Sequence, residues 1–351
     1  MEAINATLTL ALDLYQSIVD SGDPRTQHFV GVHSPCPTVL ITLIYLFLVF
    51  QLIPWYMKDK EPFDLRTPMF IYNAVVAGIS ASHFYLVSFH LFAGQNSAFI
   101  HKGLSGKCGH TLSAIPLVHY YTLFVLHCLI IYGELSHGNK PMKSQNEDQV
   151  DNMPLQLRRK GFTPTREIGA LISCDFLCCF IFKAISPSFL LQMVNLSWLY
   201  WVMKIVELLD TIFFALRKKR SQITFLHVYH HTIMILCSWY VIKFSAVGHA
   251  SFVGFTNSLV HAVMYAYYGL ASMGPHMKKY LWWKRYLTKM QLIQLVLNII
   301  QGCQLFILEC NYPRWIVGHA VINSTIFLYL FIKFYIQEYK RNSQRNIKKK
   351  T

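Results

Sequence analysis

The sequence has few charged residues. Asp, Glu, Lys and Arg make up 14% of its 351 residues, whereas a soluble protein carries about a quarter. Apolar residues make up 54%, and the mean hydropathy is +0.33. These values exclude an ordinary soluble domain. They predict an all-α, polytopic membrane protein, because a helix satisfies its own backbone hydrogen bonds in lipid.

Acidic residues are scarcer than basic ones. The chain has 17 Asp and Glu against 32 Lys and Arg, which gives a net charge of +15. The basic residues stand in short clusters between apolar runs, as in cytoplasmic loops under the positive-inside rule. We therefore predict no nucleic-acid partner, and we expect anionic membrane lipids or a phosphorylated substrate instead.

The nine cysteines form no CxxC pair and have no metal-ligand spacing, and no metal is predicted. Cys108 and Cys310 fall in predicted lumenal loops, where an oxidising compartment would permit a disulfide between them. The first thirty residues lack a basic start followed by an apolar core, so no signal peptide is expected. Asn5 begins a glycosylation sequon that would be usable if the amino terminus is lumenal.

Nine apolar runs are candidate membrane crossings. Eight are long enough for about 30 Å of hydrocarbon, and 168–183 is a shorter ninth. The eight are 38–57, 69–93, 112–133, 189–216, 223–244, 252–273, 288–309 and 316–337. The positions of the basic clusters predict a lumenal amino terminus and a cytoplasmic carboxyl terminus. This pattern needs an odd number of spans, so nine fit, and seven fit if 112–133 and 168–183 are both omitted.

The runs divide the chain into five regions. They are a lumenal amino-terminal segment (1–37), two membrane spans (38–93), an atypical region with a probable hairpin and a polar cytoplasmic loop (94–188), further membrane helices (189–337) and a basic tail (338–351). Lys348 and Lys349 stand four and three places from the carboxyl end. They match the dilysine signal by which coat machinery retrieves proteins to the endoplasmic reticulum. An ordinary basic juxtamembrane tail is the alternative.

Three histidines stand at i, i+3 and i+4 in one apolar segment. On a helix, His227, His230 and His231 fall within an arc of about 100°. Ionisable groups at membrane depth are costly unless they serve a function. Imidazole transfers protons, binds metals and carries acyl groups. Two hypotheses follow: a metal site, which would need additional ligands, or an acyl-transfer site.

Polar residues also recur at helical spacing in three neighbouring segments. Lys204, Glu207 and Asp210 precede the basic Arg217 and Lys218, which together could form a charged entrance for a phosphorylated carrier. The next two stripes contain Asn257 and His261 with Tyr265 and Tyr268, and then Gln291 and Gln294. Each stripe alone is equally consistent with helix packing. Four stripes on successive apolar segments predict a shared interior cavity.

Several motifs together resemble the very-long-chain fatty acid elongases, the condensing enzymes of the endoplasmic reticulum. The matching stretches are Leu65-Arg66 with Tyr72-Asn73, KIVELLDT, LHVYHH, NSLVHAVMYAYYGL, TKMQLIQ and FYIQEY. The tyrosine of HVYHH and the MQLIQ stretch are most similar to the polyunsaturated branch of this family. Relative to the family pattern, about seventy residues between 93 and 190 look inserted.

The resemblance implies a reaction and an architecture. A long-chain acyl-CoA and malonyl-CoA, the co-substrate, would condense to a 3-ketoacyl-CoA with loss of carbon dioxide and CoA, without a cofactor. The fold would be a barrel of seven membrane helices around an acyl tunnel closed toward the lumen, and the extra hairpin would bring the total to nine. Membrane lipids, the other enzymes of the elongation cycle and a second copy of the chain in a homodimer would be partners.

The resemblance also implies roles for individual residues. His230 would take the acyl group, while His231 and His261 would assist proton transfer and hold the malonyl enolate. Asn257 would orient one of these histidines, and Gln294 would hold a thioester oxygen. Lys204, Arg217 and neighbouring basic residues would meet the CoA phosphates.

The sequence leaves two rival functions open. A di-iron desaturase or hydroxylase would need several histidine boxes, whereas the pairs His83/His90 and His119/His127 are too widely spaced to supply another. A lipid transporter or receptor could use the same polar stripes to bind a ligand, but it would leave the three clustered histidines without a purpose.

Overall fold

The computed structural model describes residues 2–103, 187–307 and 312–348, and within these ranges the regular structure is entirely helical. The all-α prediction is therefore confirmed. The helices are α1 Glu2–Asp20, α2 Cys36–Phe47, α3 Ile53–Tyr56, α4 Arg66–Gly103, α5 Pro187–Val206, α6 Leu209–Leu216, α7 Phe225–Ser245, α8 Ser251–Ser272, α9 Lys284–Ile307 and α10 Arg314–Lys348. The predicted runs 112–133 and 168–183 lie outside the described residues.

Within the described residues, four stretches are long and apolar enough to cross a membrane. They are Cys36–Tyr56, Arg66–His90, Phe225–Ser245 and Arg314–Gln337. Large apolar side chains such as Leu43 and Phe47, 57% and 55% exposed, lie on their outer surfaces, as expected of faces in contact with lipid. The chain is therefore a multi-pass membrane protein. Helices α5, α8 and α9 coincide with other predicted runs, and whether they span the membrane stays a prediction.

The first span contains a π-helical turn, Leu48–Leu52, between α2 and α3. Pro54 stands two residues after the end of this turn, and a proline inside a helix removes one donor and crowds the preceding turn. The wider turn accommodates the ring, because the Ile53 N–H reaches the carbonyl of Leu48 five residues back. The helix therefore continues through the proline to Tyr56.

Six helices surround a cavity of about 1100 Å³. Contacts run from α4 to α8, from α8 to α9, from α9 to α10, from α10 to α7, from α7 to α5, and from α5 back to α4. One end of the bundle, called the basic end, carries Arg66, Arg217 and Lys284. The other, called the far end, is formed by residues 19–35 and 246–250. The cavity extends from Arg217 at the basic end to Ala246 at the far end.

Candidate active site

Helix α7 carries the three clustered histidines along the cavity. Thr224 caps this helix, since its hydroxyl accepts a hydrogen bond from the His227 N–H at 3.2 Å. The cap fixes where the helix begins and so which side chains face inward. His227, His230 and His231 all line the cavity. The ring centroids of His227 and His231 lie 4.4 Å apart, and those of His230 and His231 lie 5.4 Å apart.

Helix α8 brings a fourth histidine to the same place. The His261 ring lies 6.4 Å from the His230 ring, between centroids, and both rings line the cavity. Phe327 of α10 packs against His230 at 5.1 Å. Two imidazoles from different helices therefore stand beside one another in a largely apolar enclosure, where electrostatic interactions are stronger than in water.

A buried ion pair lies behind His261. The Lys204 Nζ donates to both carboxylate oxygens of Glu207, at 2.8 and 3.0 Å, and to the Asn257 Oδ1 at 2.8 Å. The Tyr200 hydroxyl donates to the same Asn257 oxygen at 3.0 Å. Lys204 and Glu207 are only 3% and 1% exposed. Burial at this level is tolerated when both charges are paired and hydrogen-bonded.

Glu207 also fixes the orientation of His261. The His261 Nδ1 lies 2.9 Å from the Glu207 Oε1. An ionised carboxylate can only accept, so Nδ1 carries the proton and donates it. In the neutral ring, Nε2 then keeps its lone pair. A carboxylate that sets the tautomer of a histidine base is a recurring arrangement in acyl-transfer sites.

The Lys204 side chain does not reach the cavity, although it was predicted to contact phosphate. Its ammonium is engaged by Glu207 and Asn257, and neither Lys204 nor Glu207 is among the cavity-lining residues. Asn257, which accepts from Lys204, does line the cavity. The pair therefore acts on the site through Asn257 and His261.

The helix that carries Lys204 breaks at Glu207 and Leu208, within the predicted run 189–216. The N–H groups of Leu208, Asp210 and Thr211 each bond three residues back. The residues of the stripe do not share one environment, because Lys204 and Glu207 are not among the cavity-lining residues. Asp210 lines the cavity and accepts a hydrogen bond from the Tyr265 hydroxyl at 2.7 Å.

A second polar chain supports His227. Its Nε2 lies 2.9 Å from the Thr211 hydroxyl, which lies 2.9 Å from the Tyr45 hydroxyl. Thr211 is fully buried and Tyr45 is 2% exposed. Neither was predicted as a site residue. Thr211 ends the KIVELLDT motif and could have been considered, whereas nothing in the pattern around Tyr45 distinguishes it from an ordinary core residue.

The remaining predicted residues lie nearer the basic end. Arg217, Tyr268, Gln291 and Gln294 line the cavity, with Gln291 donating to the Met264 sulfur at 3.4 Å. Lys218 is not among the cavity-lining residues. Its backbone has a positive φ of 53°, and its ammonium lies 3.5 Å from the Lys58 carbonyl oxygen. Arg217 is therefore the basic residue of this pair that faces the cavity.

Three further predictions do not concern the cavity. Asn5 is exposed in α1. Cys108, Cys310 and Lys349 lie outside the described residues, so the disulfide and the dilysine signal stay predictions. Within the ranges that the structure describes, no three His, Cys, Asp or Glu side chains are grouped so as to hold a metal ion.

These features define a membrane protein with a histidine-lined internal cavity, and comparison with known proteins identifies its family. Residues 31–347 match the ELO family, described as the GNS1/SUR4 family. The chain belongs to this family, which confirms the resemblance noted in the sequence.

Named relatives extend the comparison. The chain is 31% identical to very long chain fatty acid elongase 7 of Rattus norvegicus over 332 residues, which covers 94% of this chain and 90% of that protein. It is 32% identical to elongase 7 of Drosophila melanogaster, with 97% and 80% covered. For elongase 4 of Homo sapiens the identity is 31%, with 97% and 83% covered. The chain is thus a fatty acid elongase by family.

Proposed function

We propose that this elongase condenses a long-chain acyl-CoA with malonyl-CoA, and that the histidines around the cavity do the chemistry. The observation that carries this proposal is the pair of His230 and His261, whose rings are 6.4 Å apart in the cavity, with His261 held by Glu207. Such a pair offers one nucleophilic imidazole and one oriented base.

The reaction would proceed in two steps. In the first, an imidazole nitrogen of His230 attacks the thioester carbonyl carbon. The C–S bond breaks, and the CoA thiolate leaves and takes up a proton. In the second, malonyl-CoA loses carbon dioxide, and the enolate carbon attacks the acyl-imidazole. The C–N bond breaks, which frees His230 and releases the 3-ketoacyl-CoA.

The neighbouring side chains have separate tasks in these steps. His261, with its Nε2 lone pair, passes the proton that His230 loses on acylation to the CoA thiolate, and His231 assists it. A proton from solvent returns to His230 when the C–N bond breaks. Asn257 and Gln294, both on the cavity wall, provide amide donors for the enolate and thioester oxygens. Oriented donors of this kind stabilise developing negative charge most effectively where water is excluded.

The cavity suits an acyl-CoA that enters from the basic end. Arg217 and Lys284 line the cavity there, and their charges match the phosphates of CoA. From His230 to Ala246 the cavity follows α7 for sixteen residues, about 24 Å at the helical rise. We propose that the six helices form a barrel around an acyl tunnel, among seven family-type spans and the extra hairpin.

The finer assignments also belong to the proposal. The substrates would be polyunsaturated acyl-CoAs, on the similarity of HVYHH and MQLIQ to that branch of the family. The protein would reside in the endoplasmic reticulum with its basic end in the cytoplasm, beside the other enzymes of the cycle and without a cofactor. The basic clusters at one end support this orientation.

An elongation assay with the purified chain tests the proposal. A polyunsaturated acyl-CoA and malonyl-CoA are supplied, and the 3-ketoacyl-CoA is measured by mass spectrometry. We expect the His230→Gln variant to lose at least about 100-fold in rate. The matched control is His276→Gln, which alters an exposed histidine and should retain the parent rate. Equal rates for the two variants would contradict the proposed site.

A further inference from the structure

Residues 19–34 form the outer layer of the bundle at the far end of the cavity. Val32 is completely buried and belongs to the same packed cluster as Ile242 and Ala246. Ile242 and Ala246 also line the cavity. The 19–34 segment therefore packs, from outside, behind this part of the cavity wall.

Lys243 ties both ends of this segment to α7. Its Nζ donates to the carbonyl oxygens of Val19 at 2.8 Å and His33 at 2.9 Å. Its own carbonyl accepts from the Asp23 N–H at 2.7 Å. A lysine in the last turn of a membrane helix ordinarily extends to the headgroups, whereas this side chain is completely buried.

Two glycines permit this arrangement. A Cβ at Gly22 would collide with the Lys243 Cε, so glycine leaves room for the lysine side chain to pass. Gly31 has a φ of +80°, which favours glycine, and a Cβ there would stand 2.5 Å from the Trp201 ring. The Trp239 Nε1–H donates to the Gly31 carbonyl at 3.1 Å.

We propose that Lys243 holds the 19–34 segment as the stop of the acyl tunnel, and thereby sets the greatest chain length that the enzyme makes. This inference rests on the proposed function. The terminal methyl of the acyl chain would meet Ile242 and Ala246, and these side chains can resist it only while Val32 packs behind them. Once the ammonium is lost, the carbonyls of Val19 and His33 are no longer held, although the Asp23 N–H still donates to the residue 243 carbonyl and Trp239 to Gly31. The segment then packs less tightly against α7, and the wall yields to a longer chain.

The holding role is tested without any activity measurement. In a Cys36→Ser background, Val32→Cys places a thiol at the buried position. Labelling by a membrane-impermeant maleimide is followed by mass spectrometry of the peptide that contains residue 32. We expect Lys243→Met to raise the labelling rate about tenfold or more, since it removes two hydrogen bonds. The control Lys333→Met, which alters an exposed lysine of α10, should leave the rate unchanged.

The stop is tested by the products of the same Lys243 and Lys333 variants with Val32 and Cys36 intact. The Lys243→Met enzyme should extend its longest product by at least one elongation step relative to Lys333→Met. Gly22→Ala, a milder change that pushes the Lys243 side chain away from the segment, should move product length in the same direction. It serves as the second variant if Lys243→Met does not fold.

The outcomes separate the inference from the function that it rests on. Unchanged labelling in Lys243→Met would overturn the holding role. Increased labelling with an unchanged longest product would overturn the stop. If the unaltered chain elongates no acyl-CoA, the proposed function fails, and the labelling experiment alone decides whether Lys243 holds the segment.

Discussion

Two lysines are buried at different levels of the bundle, one behind His261 and one at the far end, and their partners differ. Lys204, 3% exposed, donates to a carboxylate and to the Asn257 side chain, and its Nζ lies 3.4 Å from the His261 Nδ1. Lys243, completely buried, donates to two backbone carbonyl oxygens. One lysine is part of a charged group beside the candidate reacting residues. The other joins two parts of the chain.

The role of each buried lysine follows from the groups to which it donates. A lysine paired with Glu207 controls charge and orientation near His261, and the pair is balanced within itself. Lys243 donates to backbone carbonyl oxygens, and its long side chain connects segments that are distant in sequence. We therefore expect changes at Lys204 to affect folding and chemistry together, and changes at Lys243 to affect the far end.

The largest expected difference is in stability. Lys204→Met leaves the Glu207 carboxylate buried without its lysine partner, which should lower the free energy of unfolding by about 3–5 kcal/mol. Lys243→Met leaves two neutral carbonyls without donors and removes a coulombic attraction to Asp20, at a cost of about 1–3 kcal/mol. Thermal unfolding in detergent, with Lys333→Met as the reference, measures both. A larger loss for Lys243→Met would reverse the comparison.

A double variant separates folding from chemistry at Lys204. Lys204→Met combined with Glu207→Gln removes both charges, so much of the lost stability should return. The His261 imidazole would still lack its carboxylate, and we expect elongation to stay about 100-fold below the parent rate. Recovery of elongation together with stability would show that the pair is only structural.

A smaller loss of activity is expected when the Tyr265 hydroxyl, which donates to Asp210, is removed. Tyr265→Phe removes the donor to the Asp210 carboxylate, and a hydrogen bond to a charged group contributes about 1.5–3 kcal/mol. If Asp210 shapes the site near His261, kcat should fall about tenfold with little change in KM. Tyr329→Phe, at a position that is 64% exposed, is the control. A change in KM alone would place Asp210 in substrate binding.

The smallest loss of elongation rate is expected when the Thr211 hydroxyl, which contacts His227, is removed. Thr211→Val removes the hydroxyl between His227 and Tyr45 while keeping the side-chain shape, and we expect the elongation rate to fall about threefold. Thr325→Val, whose hydroxyl bonds only to its own helix, is the matched control. A loss as large as that of His230→Gln would instead make His227 a principal reacting group.

Local spacing predicted much of the site, and contacts between distant segments account for what it missed. The i, i+3, i+4 histidines and the stripe of Lys204, Glu207 and Asp210 were predicted because neighbours on one helix are fixed by its period. The break after Val206 was not predicted, because no proline or glycine marks it. Which partner each polar side chain takes depends on how the helices pack.

At the far end, too, contacts between distant segments were not predictable from local spacing. Lys243 stands near the end of the predicted run 223–244, where it was not singled out, and residues 19–34 fall within the predicted lumenal segment 1–37. Their contact joins positions more than two hundred residues apart in sequence. Gly31 gave no signal either, since its positive φ and its contact with Trp201 exist only in the folded chain.

The most direct test of the central claim is to look for an acyl group on His230. The purified protein is incubated with a polyunsaturated acyl-CoA without malonyl-CoA, and the peptide spanning residues 221–243 is examined by tandem mass spectrometry. Cys237 lies in the same peptide, so the Cys237→Ser variant is examined in parallel. We predict release of free CoA and an acyl adduct on His230 in both proteins. An adduct that disappears in Cys237→Ser, or normal elongation without any adduct, would contradict the acyl-imidazole step.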